Sequence, residues 1–479
     1  MTSPLRRAAA LAARSHALRG NASPDALRRA AFCGLIAVAL CAVLAADALA
    51  QVTGNIASAF GTRVGGVSID AAGMVTPADK STRIPVRDAL RKMHAAPAAE
   101  LNGATEMRMV SLKKIDEAII ASGKTTAEQL PDDIRFLAGI QRIQYILVYP
   151  EDNDIVLAGP GEGWKVDEEG NIVGVTTGRP VLRLEDLLVA FRTVDNARQG
   201  GISCSIDPTP EGRQRLESLS ANRRGSGAPS MVAMRKALGP QQITLTGVPT
   251  DSHLARILVS SDYHMKRLGM NLDNSPVKGL PSFIDMLKRD SSGDYPTPRW
   301  WLECDYEPLG RSEDGLGFEI RGRGVKCMAE DEIIDAQGNA TGKGSASGPA
   351  QRWADLMTAH YDELSTKDAS FGELRNVMDL CVVAALLAKE QLLAKANCQL
   401  PTLWGAQSKL SVQSMNSPKE VESLCSSVKR GDSIIVMSGG VQIGSWQVAD
   451  KLETRPAIAQ ARAKAKSATS NSIWWNAGQ

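Results

Sequence analysis

The sequence predicts an α+β fold of mixed and antiparallel sheets, with β-hairpins, interspersed helices and a helical C-terminal section. Two observations in the first two thirds of the chain predict it. Short apolar or alternating runs are bounded by Gly, Asn and Asp turns, as hairpins require, and stretches of helical spacing fall between them. A third is that beyond residue 349 the long periodic stretches are helical.

In chain order, "VGGVSIDAAGMV" (64–75) reads as a hairpin turning at Ala71 to Gly73, and "PVRDALRKM" and "LKKIDEAIIA" have helical spacing. "RIQYILVYP" and "DIVLAG" read as strands joined by a turn at Asp152 to Asp154; "GWKVDEEGNIVGV" reads as a hairpin turning at Glu169 to Asn171. "LRLEDLLVAFR" is a helix and "GISCSIDP" a strand, after which Thr209 caps a helix with Pro210 in its first turn. "QQITLTGV" is a strand, Asp251 caps a helix running to about Gly269, and "RWWLECDYEPL" and "GLGFEIRGRGVKCM" pair as antiparallel strands. Two helical stretches follow, the second being "FGELRNVMDLCVVAALLAKEQLLAK", then a short β element, "DSIIVMSGGVQIGSW". The sections run 51–200, 201–335 and 349–454, with 336–348 a Gly, Ser and Ala-rich loop and 455–479 a tail read as disordered or a frayed helix.

The first fifty residues differ from the rest. They hold six arginines, no lysine and only two acids, followed by the apolar run from Ala30 to Ala46 and "ADALA" before Gln51. A basic start, a short apolar run and an A-x-A end predict a signal peptide cleaved near Ala50, hence export to the periplasm or beyond. "RRAAF" leaves the twin-arginine route open beside the general one. Without that segment, 49 cations face 51 acids. That balance gives no basic excess for nucleic acid.

Six cysteines remain after Ala50, scattered and without a CxxC pair, which argues against zinc ribbons and thioredoxin chemistry. Disulfides or buried thiols both fit an exported chain, and Cys381, inside an apolar helix, reads as a core thiol.

Two stretches imitate phosphate loops. "AIIASGKT" (118–125) ends like a nucleotide-binding loop, but Ala118 replaces the first glycine and a helix ends where one should begin. "DIVLAGPGEGW" (154–164) places Gly159, Gly161 and Gly163 after a strand, but a second strand pattern follows. No helix N-terminus receives an anion there, and Pro160 removes a donor. No nucleotide or other cofactor is expected, and Trp164 reads as an apolar plug or a ligand contact.

The histidines after Ala50 lie in no metal-binding spacing. His253 and His264, eleven residues apart on one helix, are roughly 16 Å apart at the helical rise. "SDYHMKR" offers Asp262 and His264 as an acid and base, against the plainer reading of a hydrogen-bonded boundary histidine. Asp379, the one charge in "DLCVVAALLA", needs a partner, and Arg375 one turn earlier is the nearest. The tryptophans outnumber the phenylalanines, which raises sugar binding, although Trp300 and Trp301 point to opposite faces of a strand.

The stretches "YILVYPEDNDIVLAGPGEGW", "TTGRPVLRLEDLLVAF", "ISCSIDPTPEG", "SSDYHMKRLGMNL", "GLPSFIDML", "RWW" and "FGELRNVMDLCVVAALL" together resemble an uncharacterised planctomycete-type family of exported proteins, domain of unknown function 1598. The resemblance spans Gly66 to Pro401 and implies export, with no activity or ligand to carry over. The expectation is an exported envelope protein that binds or assembles without catalysis, with an envelope component or polysaccharide as partner. The rival is a hydrolase using carboxylates, with Asp262, His264, Arg179 or Asp379 brought together by folding, and its test is whether Arg179, Asp262 and His264 line one open pocket. Trp164 and Arg179 are the candidate ligand contacts.

Overall fold

Three hairpins turn on the same device. In each, an aspartate just after a strand accepts two backbone N–H groups from the residues two and four positions on, which closes the loop. Asp70 Oδ1 accepts from Ala72 and Met74, both at 2.9 Å, between strands Val67–Ile69 and Met74–Pro77. Asp167 Oδ1 accepts from Glu169 and Asn171, both at 2.8 Å, and Gly170 adopts a φ of +92°. Asp335 Oδ1 accepts from Gln337 at 2.9 Å and Asn339 at 2.8 Å.

The computed structural model describes residues 63–477 apart from 80, 82, 222–229, 290–296, 336, 338, 406–407, 429–432 and 467–471. The expected signal peptide lies outside the described residues. Two large sheets dominate. The ten-stranded sheet runs in the order Arg63–Val64, Val67–Ile69, Met74–Pro77, Glu420–Val421, Gln241–Thr246, Ile202–Pro208, Ser438–Ile443, Pro298–Asp305, Gly324–Ile334, Ala340–Gly342. The seven-stranded sheet runs Leu452–Thr454, Leu309–Arg311, Gly317–Glu319, Tyr145–Tyr149, Asp154–Gly161, Thr105–Ser111, Trp474–Asn476. Most neighbours are antiparallel, but Pro298–Asp305 pairs with Ser438–Ile443 in parallel. The molecule is α+β with mixed sheets.

The strands 298–334 join the two sheets. Pro298–Asp305 pairs with Gly324–Ile334 in one sheet, and Leu309–Arg311 pairs with Gly317–Glu319 in the other. Gly322 and Gly324, at φ +114° and +92°, make the crossing. A Cβ on Gly322 would lie 2.7 Å from the Asp305 carbonyl oxygen, so only glycine allows this approach.

The helix Ala369–Lys389 is buried on every side from Ser370 to Leu387, as its all-round apolar sequence demands. It packs against Leu184–Arg192, His253–Gly269 and Ser445–Ala449. Among the described residues no helix is long and apolar enough to cross a membrane. In the core the Trp300 ring lies 4.8 Å from Phe283 and from Trp353. Cys381 is buried, and all six described cysteines are free thiols.

Four expectations differ from the fold. The cap of the His253–Gly269 helix is Ser252, whose hydroxyl accepts from Ala255, while Asp251 accepts from Ser414 Oγ at 2.6 Å. The 336–348 stretch is the return of a hairpin, since Ala340–Gly342 pairs back on Gly324–Ile334. The tail from 455 carries a helix, Ala457–Ala465, and the edge strand Trp474–Asn476. Finally, the ten-stranded sheet takes strands from the sections on either side of residues 200 and 349, so the sections are not separate layers. Polar, alanine-rich composition hid the tail's contacts, among them buried Ile458 and the Arg462 bond to the Val148 carbonyl.

Candidate functional site

The glycine-rich stretch is where the site begins. Strand Asp154–Gly161 runs on through Gly159 and Gly161 because neighbouring backbone presses on it. A Cβ on Gly159 would lie 2.0 Å from the Arg142 carbonyl oxygen, and one on Gly163 would lie 2.7 Å from Asn102 Oδ1. The loop's anion is internal. Glu162, 1% exposed, accepts from the backbone N–H groups of Thr176 at 2.8 Å and Thr177 at 3.0 Å, from Gln141 Nε2 at 2.8 Å, and from the Thr177 hydroxyl. Burial pushes its pKa up, but these donors outweigh burial and hold the carboxyl below its ordinary value. Trp164 is 4% exposed, with its ring 5.6 Å from Phe136.

These ties fix the "TTGRP" bend, where Gly178 turns at φ +70° and the Arg179 N–H donates to Thr177 Oγ1 at 3.2 Å. Arg179 thereby lines a cavity of about 400 Å³ beside the sheet crossing, with Arg142 just before the strand that Tyr145 begins, Glu319 ending the next strand and Arg321 just after it, and Arg375 from the buried helix. This is the size of a small-molecule pocket. A wider hollow of about 640 Å³, lined by Thr193, Asn196, Gln199 and Thr246, carries no charged side chain.

The cavity's arginines differ in how they are balanced. Arg142 grips Asp379 with two parallel bonds, Nε to Oδ2 at 2.9 Å and Nη2 to Oδ1 at 3.0 Å. Asp379 also accepts from the Ile143 N–H at 3.2 Å and the Tyr306 hydroxyl at 2.7 Å. Burial opposes the charge on Arg142, but Asp379 outweighs it and raises the pKa. Arg321 meets Glu307 and Glu453, each at 2.8 Å. Arg375 pairs with Asp362 at 2.7 Å, and its Nε is buried without a hydrogen-bond partner. Burial and the charge of Arg142 lower the pKa of Arg375. Arg179 makes no ion pair among the described residues.

The partner expected for Asp379 is therefore corrected. It is Arg142, 237 positions away, while Arg375 turns to Asp362. The bidentate approach of Arg142 satisfies both carboxylate oxygens at once, which a single contact along the helix does not.

Asp262 and His264 lie elsewhere. Asp262 is fully buried with Lys266, whose Nζ donates to Asp262 Oδ2 at 2.9 Å and to the carbonyls of Ile206 and Gly439 at 2.6 and 3.0 Å. Burial pushes the Asp262 carboxyl up to about 7 against the pull of Lys266. His264 Nδ1 meets Asp368 Oδ2 at 2.9 Å and Ser370 Oγ at 3.3 Å. A Cβ on Gly66 would lie 3.3 Å from its Nε2. Neither residue lines the cavity, so the structure does not bring Arg179, Asp262 and His264 together. Among the described residues no group of three His, Cys, Asp or Glu could hold a metal ion. Sequence reasoning missed Arg142, Arg321 and Tyr306; only the isolated charge of Asp379 signalled that some cation must approach.

Residues 204–283 match the model of a protein family of unknown function, DUF1598. The match runs from within the Ile202–Pro208 strand, through the helix bearing Asp262 and His264, to the start of Phe283–Arg289. It includes the stretch "SSDYHMKRLGMNL", and the cavity residues all lie outside it. No curated protein and no solved structure matches the chain.

Proposed function

We propose that the protein is exported, acts in the cell envelope as a non-catalytic binding protein, and holds a small polar ligand in the cavity beside Arg142 and Arg179. The observation that carries binding is Arg179: a guanidinium without an acidic partner on a cavity of about 400 Å³. A charged group left unpaired at the wall of a pocket has donors to spend on a ligand. The internal engagement of Asp262 and His264, away from this cavity, supports a non-catalytic reading. The basic, apolar, A-x-A order of residues 1–50 supports export.

Fractionation with N-terminal sequencing tests the location. The expected product begins at Gln51 in the envelope or medium, and an intact Met1 in the cytosol overturns export. Hydrolysis of an ester, amide or glycoside that is lost in Asp262→Asn and His264→Gln, with folding retained, overturns the non-catalytic role.

A further inference from the structure

The cavity's charge balance points to a ligand class, an inference that rests on the binding reading above. Arg142 is matched by Asp379, Arg375 by Asp362, and Arg321 by Glu307 and Glu453. Of the four arginines on the wall, Arg179 is the one with no ion pair among the described residues. The anions already present limit what it can attract. Glu319 lines the wall, held by Arg455 Nε at 3.1 Å and the Tyr145 hydroxyl at 3.2 Å. Asp362 stands on the rim with its side chain 64% exposed. A second negative charge on the ligand would face these carboxylates, whereas hydroxyl groups would find acceptors in them.

Behind Arg179, Arg375 is 2% exposed and its Nε–H has no acceptor. A buried guanidinium donor left unmade is unfavourable. It is held close to Arg142 because Gly324 leaves room: a Cβ there would lie 2.9 Å from Arg375 Cγ and 3.2 Å from Arg142 Nη2. Both cations are matched by carboxylates, so what the base of the cavity leaves unmade is the Arg375 Nε–H bond.

We propose that the cavity binds a singly charged, hydroxylated carboxylate, the chemistry of an acidic sugar, with Arg179 making the charged contact and Arg375 reinforcing it. The guanidinium fork suits the planar carboxylate, and the surrounding carboxylates and tyrosine accept or donate to hydroxyls. An acidic polysaccharide presents the same group as a free acidic sugar.

The test uses the full mature protein at neutral pH and three probes, D-glucuronate, D-glucose and inorganic phosphate, each followed by isothermal titration calorimetry. Glucuronate is expected to bind and glucose not, with binding weakened at higher salt. Arg179→Ala is expected to raise the glucuronate Kd by about tenfold or more, in line with a lost charge-assisted bond, and Arg179→Lys by less. Because the Arg179 side chain makes no ion pair among the described residues, the melting temperature of either variant should stay unchanged. Equal binding of glucose, or an unaltered Kd in Arg179→Ala, overturns the carboxylate assignment while leaving a ligand site in place. Phosphate binding more tightly than glucuronate overturns the single-charge assignment in the same way. If none of the probes binds, the carboxylate proposal is lost; if a broad screen of neutral and cationic small polar molecules also finds none, the binding reading falls with it.

Discussion

Asp379 holds four hydrogen bonds on a carboxylate that solvent does not reach. Removing one partner of such a pair strands the other in a poor solvent for charge. Asp379→Leu should therefore lose about 3–5 kcal/mol of stability, and the double variant Arg142→Met with Asp379→Leu should recover much of it, as urea unfolding would read. A double variant no better than the single would sink this account of the pair. His264 and Asp368 make a different contact, one that titrates. Burial disfavours the imidazolium, but Asp368 outweighs it and raises His264 above its ordinary 6.5; burial likewise opposes Asp368, but His264 outweighs it and holds the carboxyl below 3.8. Asp273 adds to the rise at His264 and Arg267 opposes it. The histidine's contribution is full below about 6.5 and is lost as pH rises through its higher folded value. The carboxylate's is full above about 3.8 and is lost as pH falls through its lower folded value. The pair stabilises most between those limits. The melting-temperature gap between the wild type and His264→Gln should be wide at pH 5 and narrow by pH 9, and a gap that does not vary with pH would argue against an ionised pair. From the sequence, the need for a partner at Asp379 was legible, because a lone charge on an apolar helix face must be compensated. Which residue supplies it was not, since contacts across the fold leave no periodicity in the chain.

The stretch from Gly159 to Arg179 shows how a local pattern gains its meaning from a distant element. Its glycines read as a corner between strands, and they are where backbone from 142 and 102 presses closest. Nothing local revealed that Glu162 would take the N–H groups of Thr176 and Thr177, because that depends on the hairpin folding back. Glu162→Gln replaces an acceptor oxygen with an NH₂ that faces donors. It should cost about 1–3 kcal/mol and, by freeing the "TTGRP" bend, weaken ligand binding at Arg179. Calorimetry with a parallel titration would separate the two effects, and an unchanged melting temperature would show that the carboxylate is not the anchor described. The helix cap shifted by a single residue for a simpler reason: both Asp251 and Ser252 are good caps, and the strand-side partner Ser414 claimed the aspartate.

At the scale of the molecule, the α+β class was legible because it follows from hairpin turns and helical spacing, both local. The strand order was not, since neighbours such as Met74–Pro77 and Glu420–Val421 come from opposite ends of the chain. The same holds for the last strand. Trp474–Asn476 pairs antiparallel with Thr105–Ser111 at one edge of the seven-stranded sheet, where Arg108 is fully buried. Arg108 donates Nη1 to the Ala138 carbonyl at 2.7 Å and Nη2 to those of Leu101 and Gly103 at 3.2 and 3.0 Å, while Nε donates to Asn476 Oδ1 at 3.0 Å. The Trp474 ring lies 5.7 Å from its guanidinium carbon. Among the described residues no carboxylate bonds to it, and burial lowers its pKa to about 10. The C-terminal strand is thus part of the solvation of a buried cation. Deleting residues 472–479 should uncover the Thr105–Ser111 edge and leave Arg108 Nε without an acceptor, a loss of about 1–3 kcal/mol from that donor alone. Asn476→Ala should reproduce the donor's share and Trp474→Ala the ring's. Because residues 60–479 form one unit, the truncated protein is expected to melt earlier but still in one transition by calorimetry. A deletion that leaves the melting temperature where it was would mean that the strand contributes nothing to holding Arg108, and that the sheet effectively ends at Thr105–Ser111.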